Sequence, residues 1–248
     1  MGVKTEISLE ELDKIFPNYD FKILTPTSDG VIDTTYIVDN LILKRYERDI
    51  KDKIQNDMTL LKTLQYQGLN VPTLIDSSKG WYLYEKLQGE SIKNVNLSHI
   101  QELARFLAKL HSLTYKKSCY SFFLDSYDVD SILKYIKHNF FFYYKKFEFF
   151  KYYKMKNDGF IHGDIFKDNT LFKDDKIAVF DFIDGGCGSF VFDIAVCLTS
   201  FNSHKKISFT KQFLQTYNQK APRKITLKEV EIEIEIAIKF YDMLRIYR

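Results

Sequence analysis

Residues 160–172, FIHGDIFKDNTLF, set His162, Asp164, Asp168 and Asn169 among Ile, Phe and Leu side chains that favour burial. Ionisable groups inside apolar surroundings are costly unless they are paired or put to use. A second stretch, KIAVFDFID, repeats the pattern: a short buried-type strand that runs into Asp181 and Asp184. Asp168, beside Asn169, suits a solvated turn or a cap better than a ligand position.

The whole chain narrows what these acids could serve. At 248 residues it can bury a large core, as one big domain or two smaller lobes. Its 36 Lys and Arg nearly balance 33 Asp and Glu, and a net charge of +3 gives no basis for a nucleic-acid or membrane partner. The aromatic run HNFFFYYKKFEFFKYYK is interrupted by Lys145, Lys146, Glu148 and Lys151, so it lacks the apolar run of about twenty residues that a membrane span needs. The opening MGVKTEISLEELDKIF is acidic and helix-like and has no apolar core of signal-peptide length. Cys119, Cys187 and Cys197 have no metal-ligand spacing and are expected as free, buried thiols in a reducing cytoplasm. A cytoplasmic, soluble protein is the expectation, with its oligomeric state unspecified.

Periodicity divides the chain. Ser8 and Glu11 form a capping box before a short helix, and FKILTP, TTYIV and LILKRYE follow as strands, the last two joined by a tight turn at Asp39-Asn40. Ile54, Met58, Leu61 and Leu64 mark a long helix that Gly68 ends, and VPTLI and WYLYEKL read as two more strands. Beyond these, NLSHIQELARFLAKLHSL is strongly amphipathic and residues 129–153 form a second helical region. FVFDIAVCLTSF and ISFTKQFLQTYNQ are helical as well. VEIEIEIAIKF alternates like a strand, yet also has helical spacing and continues into AIKFYDMLRIYR, so a helix is expected. A β-rich first third and a helical remainder suggest two lobes with a cleft between them.

His162-Gly163-Asp164, four further residues and Asn169 have the spacing H-x-D-x-x-x-x-N of the protein-kinase catalytic loop, and Asp181-Phe182 lies where kinases place a metal-binding Asp-Phe. Phosphoryl transfer needs these residue types. The moving group is anionic, so it requires divalent cations, and those cations require oxygen ligands, which Asn169 and Asp181 would supply. Asp164 would orient the attacking hydroxyl and accept its proton. Lys44, ending LILK, occupies the place of the lysine that contacts the α- and β-phosphates. TPTSDGVIDTTYIV would cover the phosphates with backbone N–H groups around Gly30. Backbone atoms from Glu85 to Leu87 would face adenine.

Across nearly its whole length the sequence resembles the aminoglycoside and choline kinase-like phosphotransferases, through LILK, GLNVP, LARFLAKLH, IHGDIFKDNTLF and DFIDGGCGSFVFDIA. Only twelve positions separate Asp181 from Asp193, which leaves no room for a protein-kinase activation segment. The resemblance implies a bilobal, protein-kinase-like α+β fold: a small antiparallel β-sheet lobe with one long helix (residues 1–86) and a larger, mainly helical lobe with the catalytic loop and acceptor site (residues 87–248). It implies an ATP- and Mg2+-dependent kinase of a small-molecule alcohol, with Asp164 as base, Asp193 holding the loop, and Asp57 in the place of the usual Glu partner of Lys44. The start of the chain, HGDIFKDNTLF, DIAVCLTSF and AIKFYDMLR look most like type II homoserine kinases, although Thr199 and Phe201 replace an expected Asn and Trp.

Homoserine is therefore the favoured acceptor, with choline or an aminoglycoside as alternatives, and a catalytically inactive nucleotide-binding module as another. A basic-aromatic RNA or membrane binder through residues 138–154 is the third class weighed. All the acceptors carry an amine or ammonium, for which Asp184 is a candidate partner, a capping role being its equal alternative. Homoserine also needs a cation for its carboxylate, which Arg245 or Lys239 could provide. The aromatic residues 140–153 either line the acceptor pocket or pack as an ordinary helix.

Overall fold

A computed structural model describes residues 3–27 and 32–248, so the expected role of Gly30 lies outside the described residues. The chain forms two compact units, Met1–Gln88 and Gly89–Arg248. Antiparallel strands with helices on a protein-kinase-like plan are what the resemblance implied.

The first unit opens with α1 (Leu9–Ile15), where Ser8 and Glu11 close the expected capping box. A five-stranded antiparallel sheet follows, from β1 (Leu24–Pro26), β2 (Thr34–Val38), β3 (Leu41–Arg45), β4 (Leu74–Ser78) and β5 (Trp81–Glu85), in the order β1-β2-β3-β5-β4. Val38 pairs with Leu41 across the Asp39-Asn40 turn, where Asp39 takes a left-handed φ of 50°. The same Asp39 carboxylate accepts the backbone N–H groups of Lys22 and Ile23, which take no part in the ladder and leave β1 shorter than FKILTP suggested. Likewise β4 starts only at Leu74, past Pro72, which has no N–H to give a ladder. Val38, Leu43 and Leu83 on one sheet face pack with Leu12 of α1 and with Phe16 at its C-terminal end. Between β3 and β4 runs α2 (Lys51–Tyr66), with Ile54, Asp57, Leu61 and Leu64 buried.

The second unit is largely helical: α3 (Leu97–Thr114), α4 (Val129–Asn139), α5 (Phe141–Phe147), α6 (Phe190–Ser200), α7 (Ile207–Lys220) and α8 (Leu227–Tyr247). The ambiguous C-terminal stretch is a single helix of 21 residues, started by a Thr226–Glu229 capping box. The aromatic region breaks at Phe140, whose φ of −140° ends α4 and starts α5, and a 3-10 turn over Glu148–Lys151 follows. From it Phe147 and Phe150 enter the core while Phe142 stays 94% exposed, so the region packs by a few rings rather than along a face. Two small antiparallel pairs hold the loops that matter. β6 (Gly159–Ile161) pairs with β9 (Gly186–Gly188), and β7 (Thr170–Lys173) with β8 (Lys176–Val179). None of the described helices is long and apolar enough to cross a membrane.

The cysteines correct the sequence reading. Cys119 and Cys187 form a disulfide across 68 residues, with Cα atoms 5.4 Å apart, and only Cys197 is a free, buried thiol. The pairing follows from topology: Phe122 bridges to Cys187, so the segment after α3 lies alongside β9. Denatured without reductant, the protein should titrate one thiol, and after reduction three. Three thiols before reduction would refute the pairing. Loss of the bond should lower stability by roughly 2–5 kcal/mol in chemical denaturation, since it closes a long loop.

Candidate active site

The catalytic-loop residues follow β6. Asp193, in the first turn of α6, is fully buried, and its carboxylate accepts the backbone N–H of His162 at 3.1 Å and of Gly163 at 2.8 Å. His111 of α3 meets the same carboxylate through Nε2 at 3.1 Å. A carboxylate can only accept, so Nε2 carries the proton. Nδ1 then accepts from the Tyr217 hydroxyl at 2.8 Å. Burial lowers the His111 pKa and outweighs the pull of Asp193, which agrees with a neutral ring. The ring also stacks on Phe190, centroids 3.9 Å apart.

Gly163 is required at its position. Its φ is +74°, and a Cβ there would lie 2.0 Å from the Phe123 ring. The Tyr241 hydroxyl of α8 donates to the Gly163 carbonyl. His162 is buried and neutral, its pKa lowered chiefly by desolvation. Its Nε2 donates to the Phe180 carbonyl at 3.0 Å, and its Nδ1 accepts the backbone N–H of Asp164 at 3.2 Å. One imidazole thus ties the loop to the residue before Asp181.

Asn169 donates its amide to both the carbonyl and the Oδ2 of Asp164, each at 2.9 Å. Backbone joins the next group: Phe180 N–H donates to the Asn169 carbonyl at 3.2 Å. Asp181 itself takes a left-handed φ of 66°. The Asp164 carboxyl is pushed up to about 8, first by burial, then by the charges of Asp181 and Asp168, with a smaller push from Asp184, while the Asn169 hydrogen bond opposes them. Asp164, Asn169 and Asp181 are therefore gathered in one place, with Asp168 and Asp184 at its margin. Because Asn169 uses its N–H groups on Asp164, its amide oxygen is the part suited to a cation. Together with the Asp181 carboxylate this is a hard-oxygen donor set, next to carboxylates that crowd each other, and it fits a hard divalent ion.

In the first unit, Lys44 lies in β3 opposite Thr35 and Tyr82, its Nζ 5.1 Å from the centre of the Tyr46 ring. Asp57 is buried on α2. Tyr84 donates or accepts with Tyr46 at 3.1 Å, and its pKa is raised by burial, by Tyr46 and by Asp57, with Lys44 pulling the other way. Both Asp57 and Lys44 thus lie within electrostatic reach of one phenol. Glu85 ends β5, its carboxylate accepting the Thr73 hydroxyl at 2.8 Å, and Leu87 follows three residues before Glu90 pairs with Phe172.

Next to the catalytic loop opens a cleft of about 540 Å³, lined among others by Phe166, Lys167, Asp168, Thr199, Asn202 and Arg245. Sequence reasoning did not assign His111, Tyr217 or Tyr241 to the site. The signal available for them was weak: a His and two Tyr within apolar helical stripes, whose partners lie 82, 106 and 78 positions away.

A family model described as a phosphotransferase enzyme family matches residues 23–137 and 146–227. The chain belongs to that family. It is accordingly a phosphotransferase, a kinase that acts on small molecules with a hydroxyl as acceptor. Among curated relatives, a homoserine kinase of Polaromonas naphthalenivorans (strain CJ2) is 26% identical, over 81% of this chain and 73% of that protein. Another homoserine kinase, of Parvibaculum lavamentivorans, is 26% identical over 90% of this chain and 80% of that protein. Among solved structures, amicoumacin kinase hAmiN in complex with AMP-PNP, Ca2+ and Ami aligns with a TM-score of 0.71 at 17% identity, covering 95% of this chain and 83% of that one. ADP-bound aminoglycoside phosphotransferase APH(2'')-Ib aligns at 0.67 and 19% identity, covering 96% and 88%. These structural likenesses carry the fold. The eight residues 138–145 fall between the two matched segments of the phosphotransferase model, at the break between α4 and α5.

The raised Asp164 carboxyl has a consequence for stability. Its folded pKa of about 8 lies above its ordinary value of 3.8, so between those values the folded protein holds a proton that the unfolded chain has lost. Metal-free phosphotransferase should therefore lose stability as pH rises through that window. Urea midpoints measured from pH 4 to 8 should fall less steeply for Asp164→Asn. Parallel slopes for the two proteins would contradict the shift.

Proposed function

We propose that this phosphotransferase transfers the γ-phosphate of ATP, with Mg2+, to the hydroxyl of a small amino-containing acceptor, homoserine before others. One observation carries the reading: an acid, Asp164, fixed by the Asn169 amide and lifted toward neutral pH beside a second carboxylate, Asp181. A base works best when its pKa lies near the operating pH and its atoms are held still.

We assign the roles as this geometry supports them. Asp164 accepts the acceptor's hydroxyl proton as that oxygen attacks the γ-phosphorus, whose bond to the β–γ bridging oxygen breaks to release ADP. Asn169 keeps the Asp164 carboxylate in one orientation, and its own amide oxygen and the Asp181 carboxylate are the ligands we assign to the ion. Bound there, a divalent cation supplies positive charge to the transferring phosphate. Lys44 is assigned to the α- and β-phosphates, with Asp57 as the acid that orients it, and Glu85 to Leu87 to the adenine through their backbone. Homoserine rests on the two curated relatives named for that activity and on the cleft lined by Lys167, Asp168 and Arg245.

Asp164→Asn should lower turnover roughly 10²–10⁴-fold while leaving ATP affinity within a few-fold of wild type, measured by ADP release and calorimetry. Asp181→Ala should abolish Mg2+-dependent nucleotide binding. Full turnover in Asp164→Asn would reject the base assignment. Nucleotide binding that still responds to Mg2+ in Asp181→Ala would reject the metal role.

A further inference from the structure

Two basic residues of α8 could meet an anionic acceptor, and the fold separates them. Lys239 sits 5.4 Å from the centre of the Phe149 ring, among the aromatics. Arg245 lines the cleft beside the catalytic loop. It follows Tyr241 by four positions, hence lies on the same helix face, one turn along. Tyr241 is the residue that donates to the Gly163 carbonyl and meets the Phe166 ring edge-on at 4.8 Å. The helix face that presents Arg245 is thus anchored directly to the loop carrying Asp164.

The charges around the cleft select a kind of ligand. Its lining has one carboxylate, Asp168, and two cations, Lys167 and Arg245. Lys167 is a compact ammonium, its Nζ 3.5 Å from the Lys93 carbonyl, and it has no planar fork of donors. Arg245 makes one 3.3 Å contact with Asp242, whose other oxygen holds Lys146 at 2.8 Å, and its side chain is 67% exposed. A guanidinium offers five N–H donors in a planar fork that matches a carboxylate. Such a lining opposes a polycation, and gives a simple amino alcohol no partner for Arg245. It matches a zwitterion.

We infer that this cleft is an α-amino-acid subsite, with Arg245 gripping the acceptor's carboxylate, Asp168 its ammonium, and the side-chain hydroxyl left for Asp164. The inference rests on the kinase reading of Asp164 and adds two specificity-determining residues to it. Asp168, expected from sequence to be a turn residue, gains a ligand role through its place in the cleft.

The test is a steady-state ADP-release comparison of L-homoserine with 3-aminopropan-1-ol, which lacks the carboxylate, and 4-hydroxybutanoate, which lacks the amine. Wild type should favour homoserine over both by about 10- to 100-fold in kcat/KM, the scale of a charge-assisted hydrogen bond. Arg245→Ala should raise the KM for homoserine by a similar factor, leave the KM for ATP unchanged, and erase the preference over 3-aminopropan-1-ol. Arg245→Lys should restore part of it. Asp168→Asn should erase the preference over 4-hydroxybutanoate instead. A preference that survives Arg245→Ala overturns the inference while the homoserine reading stands. Should wild type use serine, threonine or another hydroxy amino acid in place of homoserine, and Arg245→Ala raise its KM, the inference holds and the homoserine reading falls. Turnover of no hydroxy amino acid at all overturns the inference, and phosphorylation of choline or an aminoglycoside in the same screen would leave the kinase reading intact.

Discussion

The buried carboxylate of Asp193 is the constraint on which the rest of the second unit depends. A carboxylate without water must find donors in the protein, and this one takes three: the backbone N–H groups of His162 and Gly163, and the Nε2–H of His111. Two of those donors are the catalytic loop itself. The third, through the Tyr217 hydroxyl, brings in α7. Satisfying a single charge therefore joins α3, α6, α7 and the loop, and removing it would leave three buried donors unpaired at once. The loop's backbone is set before the side chain of Asp164 enters the question.

That order matters for the chemistry. Asp164 sits in a place that penalises its charge, near Asp181, Asp168 and Asp184. Its neighbours' charges oppose its own. It stays because its N–H is held by His162 and its carbonyl and Oδ2 by Asn169. Neither imidazole of the region adds a compensating positive charge, since burial keeps both His111 and His162 neutral. A phosphoryl-transfer centre is the kind of site in which an arriving cation supplies that charge.

Much of this was legible in the sequence, for physical reasons that differ by residue. The spacing from His162 to Asn169 is visible because a loop closes it locally, and Asp193 because α6 begins a fixed, short distance after Asp181. The helix at the C-terminus was legible once the alternation of VEIEIEIAIKF was weighed against the apolar spacing beyond it, and Val230, Ala237, Phe240 and Leu244 are its buried side. What stayed hidden depends on contacts far apart in the chain. Nothing local marks Cys119 and Cys187 as partners, because their approach results from a bridge between Phe122 and Cys187. The break at Phe140 falls in a run of aromatics with no Pro or Gly to announce it. Arg245 and Lys239 are equivalent cations in sequence, and only the rotation of α8 distinguishes them.

The disulfide and α8 act on the same point from two sides. Cys119 lies four residues before Phe123, whose ring occupies the space that a side chain at position 163 would need. Joining Cys119 to β9 pins the segment that delivers that ring, and β9 in turn pairs with β6, from which the loop emerges. From the other side Tyr241 holds the carbonyl of the same glycine. Gly163 is thus gripped at its N–H by Asp193, at its carbonyl by Tyr241 and at its missing side chain by Phe123, three contacts from distant parts of the chain. Asp164 is the next residue, so its freedom to shift is what those three contacts leave. One turn beyond Tyr241, Arg245 stands in the cleft, and a rise of about 6 Å along a rigid helix relates the two. The element that immobilises the base therefore also sets where an acceptor's charged end can be held. Base and acceptor are positioned by one frame, so their separation need not be maintained by the ligand.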